Sequence, residues 1–149
     1  MMFRPSRILV PTDMSGNSIR SLRQAFDIAR QFNSEVFILH VVQDLAPHSM
    51  VEYCLNEAVV NQLQAKAMEA VRNEIRRQLA LFPSIDPDNV TIDVKTGTPH
   101  VEIVKAVEEK NVDLIVILFP GSSGLGKYLV GSVTRHVLLG AKCSVLLTR

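Results

Sequence analysis

The segment DLIVILFPGSSGLGKYLVGSVT, Asp113–Thr134, decides the fold of this chain. An unbroken apolar run, Leu114–Leu118, leads into a loop rich in glycine and serine, and a short helical pattern begins at Gly131-Ser132. In α/β proteins such a loop often holds phosphate, because glycine lets main-chain N–H groups approach an anion and the helix start adds unpaired donors. The segment therefore predicts an α/β protein with a candidate nucleotide site.

Four further segments have strand patterns. Three are apolar runs too short for a helix, whereas Val90–Val94 alternates apolar with polar residues, which indicates a strand with one wet face at a sheet edge. The five predicted strands are Arg7–Pro11, Val36–Val42, Val90–Val94, Leu114–Leu118 and Ser144–Leu147.

Helical patterns lie between these strands. Ser15 is the predicted N-cap of the first helix. Thr98 is the predicted N-cap of the third helix, with Pro99 as its first helical residue. Pro83 and Pro87 end the second, which is the longest. The predicted helices are Ile19–Phe32, Ser49–Leu81, the helix that starts at Thr98, and Ser132–Leu139. The inner stripe predicted for the long helix is Leu55, Val59, Leu63, Val71, Ile75 and Leu79.

The order of elements, β-α-β-α-β-α-β-loop-α-β, predicts a doubly wound parallel sheet in a single domain, residues 1–149. Such sheets bind ligands at the carboxyl ends of their strands, near the point where the strand order reverses. We therefore expect Thr12 and Asp13, the end of the second strand at Val41 and Val42, and the loop after the fourth strand to converge.

Composition excludes several classes of protein. The 149 residues contain 16 Lys+Arg and 15 Asp+Glu, a net charge of +1, without the basic excess typical of nucleic-acid binders. No apolar run approaches the roughly 20 residues needed to span a bilayer, and the N-terminus lacks a signal-peptide pattern. Cys54 and Cys143 match no metal or redox spacing and are expected to be buried thiols. We expect a cytoplasmic protein that binds neither nucleic acid nor membrane.

Four segments together resemble the universal stress protein family over essentially the whole chain. They are ILVPTDMSGNS at Ile8–Ser18, VFILHVV at Val36–Val42, VKTGTPHVEIVKAVEEKNVDLIVI at Val94–Ile117 and GSVTRHVLLGAKCSVLL at Gly131–Leu147. The resemblance implies a flavodoxin-like, adenine nucleotide alpha hydrolase-like fold with strand order 3-2-1-4-5. It also implies a homodimer through the last strand, and an exposed apolar edge at Ser144–Leu147 independently favours pairing.

The ATP-binding branch of that family carries G-x2-G-x9-G-[S/T] after the fourth strand. Here the second half is intact, with Gly121 followed after nine residues by Gly131-Ser132, but Leu118 stands where the first glycine belongs. Pro120 also removes one N–H donor from the loop.

The resemblance implies a site for ATP, with Mg²⁺ as a possible companion. Its adenine and ribose contacts fall on Thr12, Asp13 and Val41. The phosphate contacts fall on the loop and the following helix start, and Leu118 and Ser122 complete the candidate set. The candidate binding residues are Thr12, Asp13, Val41, Leu118, Gly121, Ser122, Gly131, Ser132 and Val133.

The residue chemistry agrees with this interpretation but leaves plainer ones open. A carboxylate at Asp13 can accept hydrogen bonds from ribose hydroxyls, and main-chain N–H groups at the start of the last helix suit phosphate oxygens. Equally, Asp13 can cap the following helix, the glycines can form turns, and Ser132 can be an N-cap.

The segment from Gly121 to Lys127 also matches G-x-x-x-x-G-K, the beginning of a P-loop. Tyr128 follows where a Ser or Thr is required, so we treat the match as chance. The four histidines are scattered, and no G-x-S-x-G nucleophile motif occurs, so the case for an enzyme is thin.

Two functions remain in competition. One is a regulatory dimer that presents adenine-nucleotide occupancy to an unknown protein partner. The other is a dimer without nucleotide that acts as an interaction or protective module. An autonomous ATPase ranks last, with slow, incidental hydrolysis at most.

Overall fold

A computed structural model describes residues 2–43, 56–119 and 131–149. Within them, five parallel strands form one sheet in the order β3-β2-β1-β4-β5. The strands are β1 (Arg7–Pro11), β2 (Glu35–Val42), β3 (Val90–Thr96), β4 (Leu114–Leu118) and β5 (Ser144–Thr148). This confirms the predicted doubly wound sheet, its strand order and the edge position of the third strand.

The described residues also form four α-helices and a short 3₁₀ turn. The helices are α1 (Ser18–Phe32), α2 (Glu57–Leu79), α3 (Pro99–Glu109) and α4 (Ser132–Gly140), and the turn is Pro87–Asn89. No helix in these three stretches of chain combines the length and apolarity that crossing a membrane requires.

The helices cover both faces of the sheet, and this explains why the central strands are apolar at every position. Successive side chains of a strand point to opposite faces, so Ile8 and Val10 pack against α1 and α2 while Leu9 packs against α3 and α4. All three side chains are fully buried. The continuous apolar run in β1 therefore serves two separate cores.

The amino end of β1 is fixed by a residue far away in the chain. Asp113, which immediately precedes β4, accepts hydrogen bonds from the main-chain N–H groups of Ser6 (2.8 Å) and Arg7 (3.1 Å) through its two carboxylate oxygens. The Asp113 main-chain N–H donates in return to the Arg7 carbonyl (3.0 Å). These three bonds align β1 and β4 before their strand pairing begins.

One predicted N-cap was wrong. Asn17, not Ser15, is the N-cap of α1, because the Ser15 hydroxyl is turned back to donate to Asp13 Oδ1 (2.6 Å). The last helix begins at Ser132, as predicted, and Gly131 is its N-cap, so the alternative role of Ser132 as an N-cap is not observed. Thr98 is the N-cap of α3 as predicted, although its side chain makes no capping hydrogen bond.

The long helix is shorter, and its inner stripe is more restricted, than predicted. It begins at Glu57, where the Asn56 side chain caps the Ala58 N–H (3.2 Å), rather than at Ser49. Ile75 is fully buried in the core, whereas Leu63 is 53% exposed. Only the second half of α2 lies over the core, so helical periodicity overestimated the buried length. Leu55 and the rest of residues 44–55, including Cys54, lie outside the described residues.

Two substitutions in α2 test this division. Ile75→Ala removes a fully buried side chain and is expected to lower the free energy of unfolding by about 2–5 kcal/mol. Leu63→Ala, on the exposed half, is expected to change it by less than about 0.5 kcal/mol. Urea denaturation followed by circular dichroism measures both. Equal losses would contradict an exposed first half of α2.

Candidate functional site

A cavity of about 580 Å³ opens at the carboxyl ends of β1, β2 and β4. The N-termini of α3 and α4 form its opposite wall. The lining residues are Pro11, Thr12, Asp13, Ser18, Leu39, His40, Val41, Val42, Gln43, Pro99, Ile103, Ile117, Leu118, Gly131, Ser132, Val133 and Thr134. The cavity lies where the strand order reverses, which is where open α/β sheets bind their ligands.

The cavity exists because β1 separates from both of its neighbours. The register of β1 with β4 ends at Leu9 opposite Ile115. Successive residues of a strand direct their main-chain groups to opposite neighbours. Since the Thr12 N–H points toward β2, an N–H at position 11 would point toward β4, but Pro11 has none. The register with β2 ends two residues later, at Pro11 opposite Leu39. A crevice therefore opens on both sides of the end of β1.

The structure brings seven of the nine predicted binding residues to this one cavity. They are Thr12, Asp13, Val41, Leu118, Gly131, Ser132 and Val133. Gly121 and Ser122 lie outside the described residues, as do Pro120 and the P-loop-like segment through Tyr128. Participation of these residues in binding remains a prediction.

The turn after β1 is held by its own side chains. The Thr12 hydroxyl accepts from the Met14 N–H (3.1 Å), and Asp13 Oδ1 accepts from the Ser15 N–H (2.9 Å). Met14 adopts a left-handed conformation (φ 67°), which is unusual for a residue with a side chain. Asp13 therefore closes a turn and does not cap α1. Its Oδ2 accepts no hydrogen bond from any residue in the described part of the chain, so this oxygen is available to a ligand.

His40 contributes to the same corner of the cavity. Its Nδ1 lies 2.7 Å from the carbonyl oxygen of Thr12. A carbonyl oxygen only accepts hydrogen bonds, so Nδ1 carries a proton and donates it to Thr12. The His40 side chain is therefore hydrogen-bonded and also lines the cavity.

The opposite wall offers helix N-termini whose first turns are not capped by side chains. Gly131 caps α4 without a side-chain hydrogen bond, and Thr98 caps α3 in the same manner. No side chain in the described ranges accepts from the early N–H groups of either helix, and these groups give this wall a partial positive charge. Thr134 lies on the first turn of α4 and its hydroxyl donates to the Leu118 carbonyl (3.4 Å), which ties the helix start to the end of β4.

Two histidines that are far apart in sequence meet beside this wall. The rings of His100, on α3, and His136, on α4, stack with centroids 4.3 Å apart and planes inclined by 21°. His136 Nδ1 donates to the Ser132 carbonyl (2.6 Å), so the stack is anchored at a residue of the cavity. Sequence spacing gave no sign of this pair. Residues 2–43, 56–119 and 131–149 contain no cluster of three or more His, Cys, Asp or Glu placed to hold a metal ion.

Comparison with known proteins places the chain among close structural relatives. The model of the universal stress protein family matches residues 5–149. A universal stress protein of Methanothermobacter thermautotrophicus is 31% identical over 147 residues, covering 96% of this chain and 94% of the relative. A second, from Methanocaldococcus jannaschii, is 28% identical over 143 residues, covering 96% and 81%. The solved structure of UspA from Lactobacillus plantarum is 25% identical with a TM-score of 0.81, covering 99% of this chain and all of that one.

Two more distant solved structures contain adenine nucleotides. A universal stress protein in complex with cAMP is 22% identical with a TM-score of 0.65, covering 99% of this chain and 98% of that one. One from Archaeoglobus fulgidus in complex with dAMP is 20% identical with a TM-score of 0.60, covering 99% and 100%. At these identities the likeness concerns the fold. Since the family model spans nearly the whole chain, including every strand that forms the cavity, the chain belongs to the universal stress protein family.

Proposed function

We propose that this protein binds an adenine nucleotide, with ATP the expected ligand, and that it acts as a regulatory dimer whose occupancy is presented to a protein partner. The observation that carries the proposal is the convergence of three kinds of group on one cavity. These are main-chain groups at Val41, the carboxylate of Asp13, and the start of α4 at Gly131 and Ser132. A nucleotide needs all three, for its base, its ribose and its phosphates.

Each group has a physical reason for its proposed role. The main chain of Val41 can pair with the polar edge of adenine, and the apolar side chains nearby suit the faces of the ring. Asp13 Oδ2 accepts from a ribose hydroxyl. The uncapped first turn of α4 donates to phosphate oxygens. The volume of about 580 Å³ is typical of small-molecule sites, and the cAMP and dAMP complexes of family members support the ligand class.

Any Mg²⁺ is expected to arrive with the nucleotide. Mg²⁺ retains several waters and is usually held by substrate phosphates with one or two carboxylates. Asp13 is the carboxylate that lines the cavity among the described residues. It would therefore bind the ribose or, through water, the metal.

Leu118 favours the competing function, a dimer that works without nucleotide. Its half-buried side chain lines the cavity at the end of β4, where the family motif has glycine. A leucine at this position occupies space that the sugar needs. The described residues thus contain both the groups that a nucleotide requires and one group that hinders it.

The dimer part of the proposal rests on β5. This strand lies at one edge of the sheet, and its outer main-chain groups have no strand beside them within the described part of the molecule. Leu147 on β5 is 38% exposed, and Leu139 on the adjacent α4 is 78% exposed. An apolar edge strand favours pairing with a second copy, and this pairing would cover Leu147.

Calorimetric titration with ATP and Mg²⁺ tests the ligand. We expect saturable micromolar binding to the wild-type protein and a 10- to 100-fold weaker affinity for Asp13→Ala, since a hydrogen bond to a charged group contributes about 1.5–3 kcal/mol. Asp27→Ala is the matched control, because it removes the same charge from an exposed position of α1 outside the cavity. Absence of heat up to millimolar ATP, with folded protein free of carried-over nucleotide, would sink the nucleotide proposal in favour of the interaction module.

Leu118→Gly tests the steric argument. If the side chain obstructs the sugar, the affinity for ATP should rise several-fold, and Leu118→Ala should give part of that gain. The same titration measures both variants, with thermal denaturation to verify that each is folded. Unchanged affinity in the two variants would show that Leu118 is not the obstacle.

A charge on the exposed edge tests the dimer. Leu147→Lys should convert the dimer into a monomer, because pairing would bury a lysine from each copy. Leu81→Lys is the control, since Leu81 is 61% exposed just beyond α2, at the β3 side of the sheet. Sedimentation velocity distinguishes the two states. A wild-type protein that is monomeric at all concentrations would exclude the β5 dimer.

A further inference from the structure

We infer that His40 is a positioning residue: by donating to the Thr12 carbonyl, its ring holds that carbonyl turned away from Val41 and leaves the Val41 N–H facing the cavity. The use of this N–H by an adenine edge rests on the proposed function. The arrangement of the two strands does not depend on it.

Parallel strands follow a fixed hydrogen-bond pattern. Each bonded residue of β2 contacts the two β1 residues that flank its opposite number. Leu39 lies opposite Pro11 and accepts from the Thr12 N–H (2.9 Å). The following rung would join the Val41 N–H to the Thr12 carbonyl. No such bond is present between these two described residues.

The absence of a hydrogen bond from the Val41 N–H to the Thr12 carbonyl is not explained by the end of β2. That strand continues to Val42 and remains paired with β3 as far as Val42 opposite Thr96. Val41 is therefore held in extended conformation by the pairing of β2 with β3, while β1 diverges from β2 on the opposite side. In a parallel strand, alternate residues direct their main-chain groups to opposite neighbours. Since Leu39 bonds to β1, Val41 directs its N–H to the same side, toward the crevice.

The Thr12 carbonyl accepts a hydrogen bond from His40 instead. The Nδ1–oxygen distance of 2.7 Å is that of a short, well-formed hydrogen bond. Two further hydrogen bonds hold Thr12. Its N–H donates to the Leu39 carbonyl, and its hydroxyl accepts from the Met14 N–H (3.1 Å). Three bonds thus fix a residue that is only 8% exposed, in a position from which it makes no hydrogen bond to the Val41 N–H.

The Val41 N–H at the cavity wall is suited to recognition of the base of a nucleotide. A main-chain donor at the wall of a cavity, with no acceptor among the described residues, is paired by solvent or by a ligand. A planar heterocycle with a ring nitrogen acceptor beside an exocyclic amino group fits the N–H and carbonyl that a strand presents along one edge. Adenine has this pattern. By this inference His40 acts on the base through Val41 and without contacting the ligand.

Hydrogen exchange of the ligand-free protein, followed residue by residue by NMR, tests the inference directly. In the wild-type protein the Val41 amide should exchange much faster than that of Leu39. In His40→Leu the Thr12 carbonyl is released, the rung to Val41 can form, and Val41 exchange should slow at least tenfold. Similar protection of Val41 and Leu39 in the wild type, or no slowing in His40→Leu, would overturn the inference.

A conservative variant separates this role from ordinary packing. The Asn amide nitrogen lies near the position of His Nδ1, so His40→Asn should retain fast Val41 exchange, whereas His40→Gln, whose amide lies farther out, should resemble His40→Leu. If His40→Leu does not fold, the Asn and Gln pair decides the question. Equal Val41 exchange in those two variants would contradict the inference.

ATP titration of the same variants extends the test to the ligand. We expect five- to twentyfold weaker binding for His40→Leu and near wild-type binding for His40→Asn. Failure of wild-type protein to bind ATP would contradict the proposed function alone, since the exchange rates still decide the role of His40. Wild-type affinity in His40→Leu despite a protected Val41 amide would show that the base does not use this N–H.

Discussion

The candidate site depends on the loss of hydrogen bonding at the end of one central strand. β1 is paired on both sides through Leu9, but its register with β4 ends there, and its last bond to β2 runs from the Thr12 N–H to Leu39. On the β4 side, proline at position 11 has no N–H to continue the ladder. On the β2 side, the carbonyl that would form the following rung accepts a hydrogen bond from His40 instead. Two unrelated features thus accompany one crevice, and the seven candidate residues that the structure describes line it.

The fold was predictable because it depends on patterns that are local in the sequence. Short apolar runs in β1, β2 and β4 and alternation in β3 indicated which strands are buried on both faces and which lies at an edge. Periodicity was less informative for α2, since it reports which side of a helix is apolar and not how far the sheet extends beneath it. Leu63 continues the stripe of Ile75 but lies beyond the core.

The site was predictable to the extent that it lies at strand ends. Thr12, Asp13 and Val41 follow from the rule for parallel sheets together with the family resemblance. The contacts that give the site its shape did not follow, because they join residues that no spacing rule connects. The bond from Thr134 to Leu118, the His100–His136 stack and the bond from His40 to Thr12 all require the fold to be known first.

The hydrogen bonds of Asp113 to Ser6 and Arg7 affect the order in which the fold forms. Its carboxylate bonds the main chain of Ser6, 107 positions earlier, so the central strand acquires its second neighbour only after most of the chain has been synthesised. Contacts between such distant segments slow folding, because a long loop must close before they form. During translation β1 and β2 can meet early, but the crevice needs β4 as its far side. The cavity is therefore among the last parts of this fold to form, since it is incomplete until β4 and the start of α4 have been synthesised.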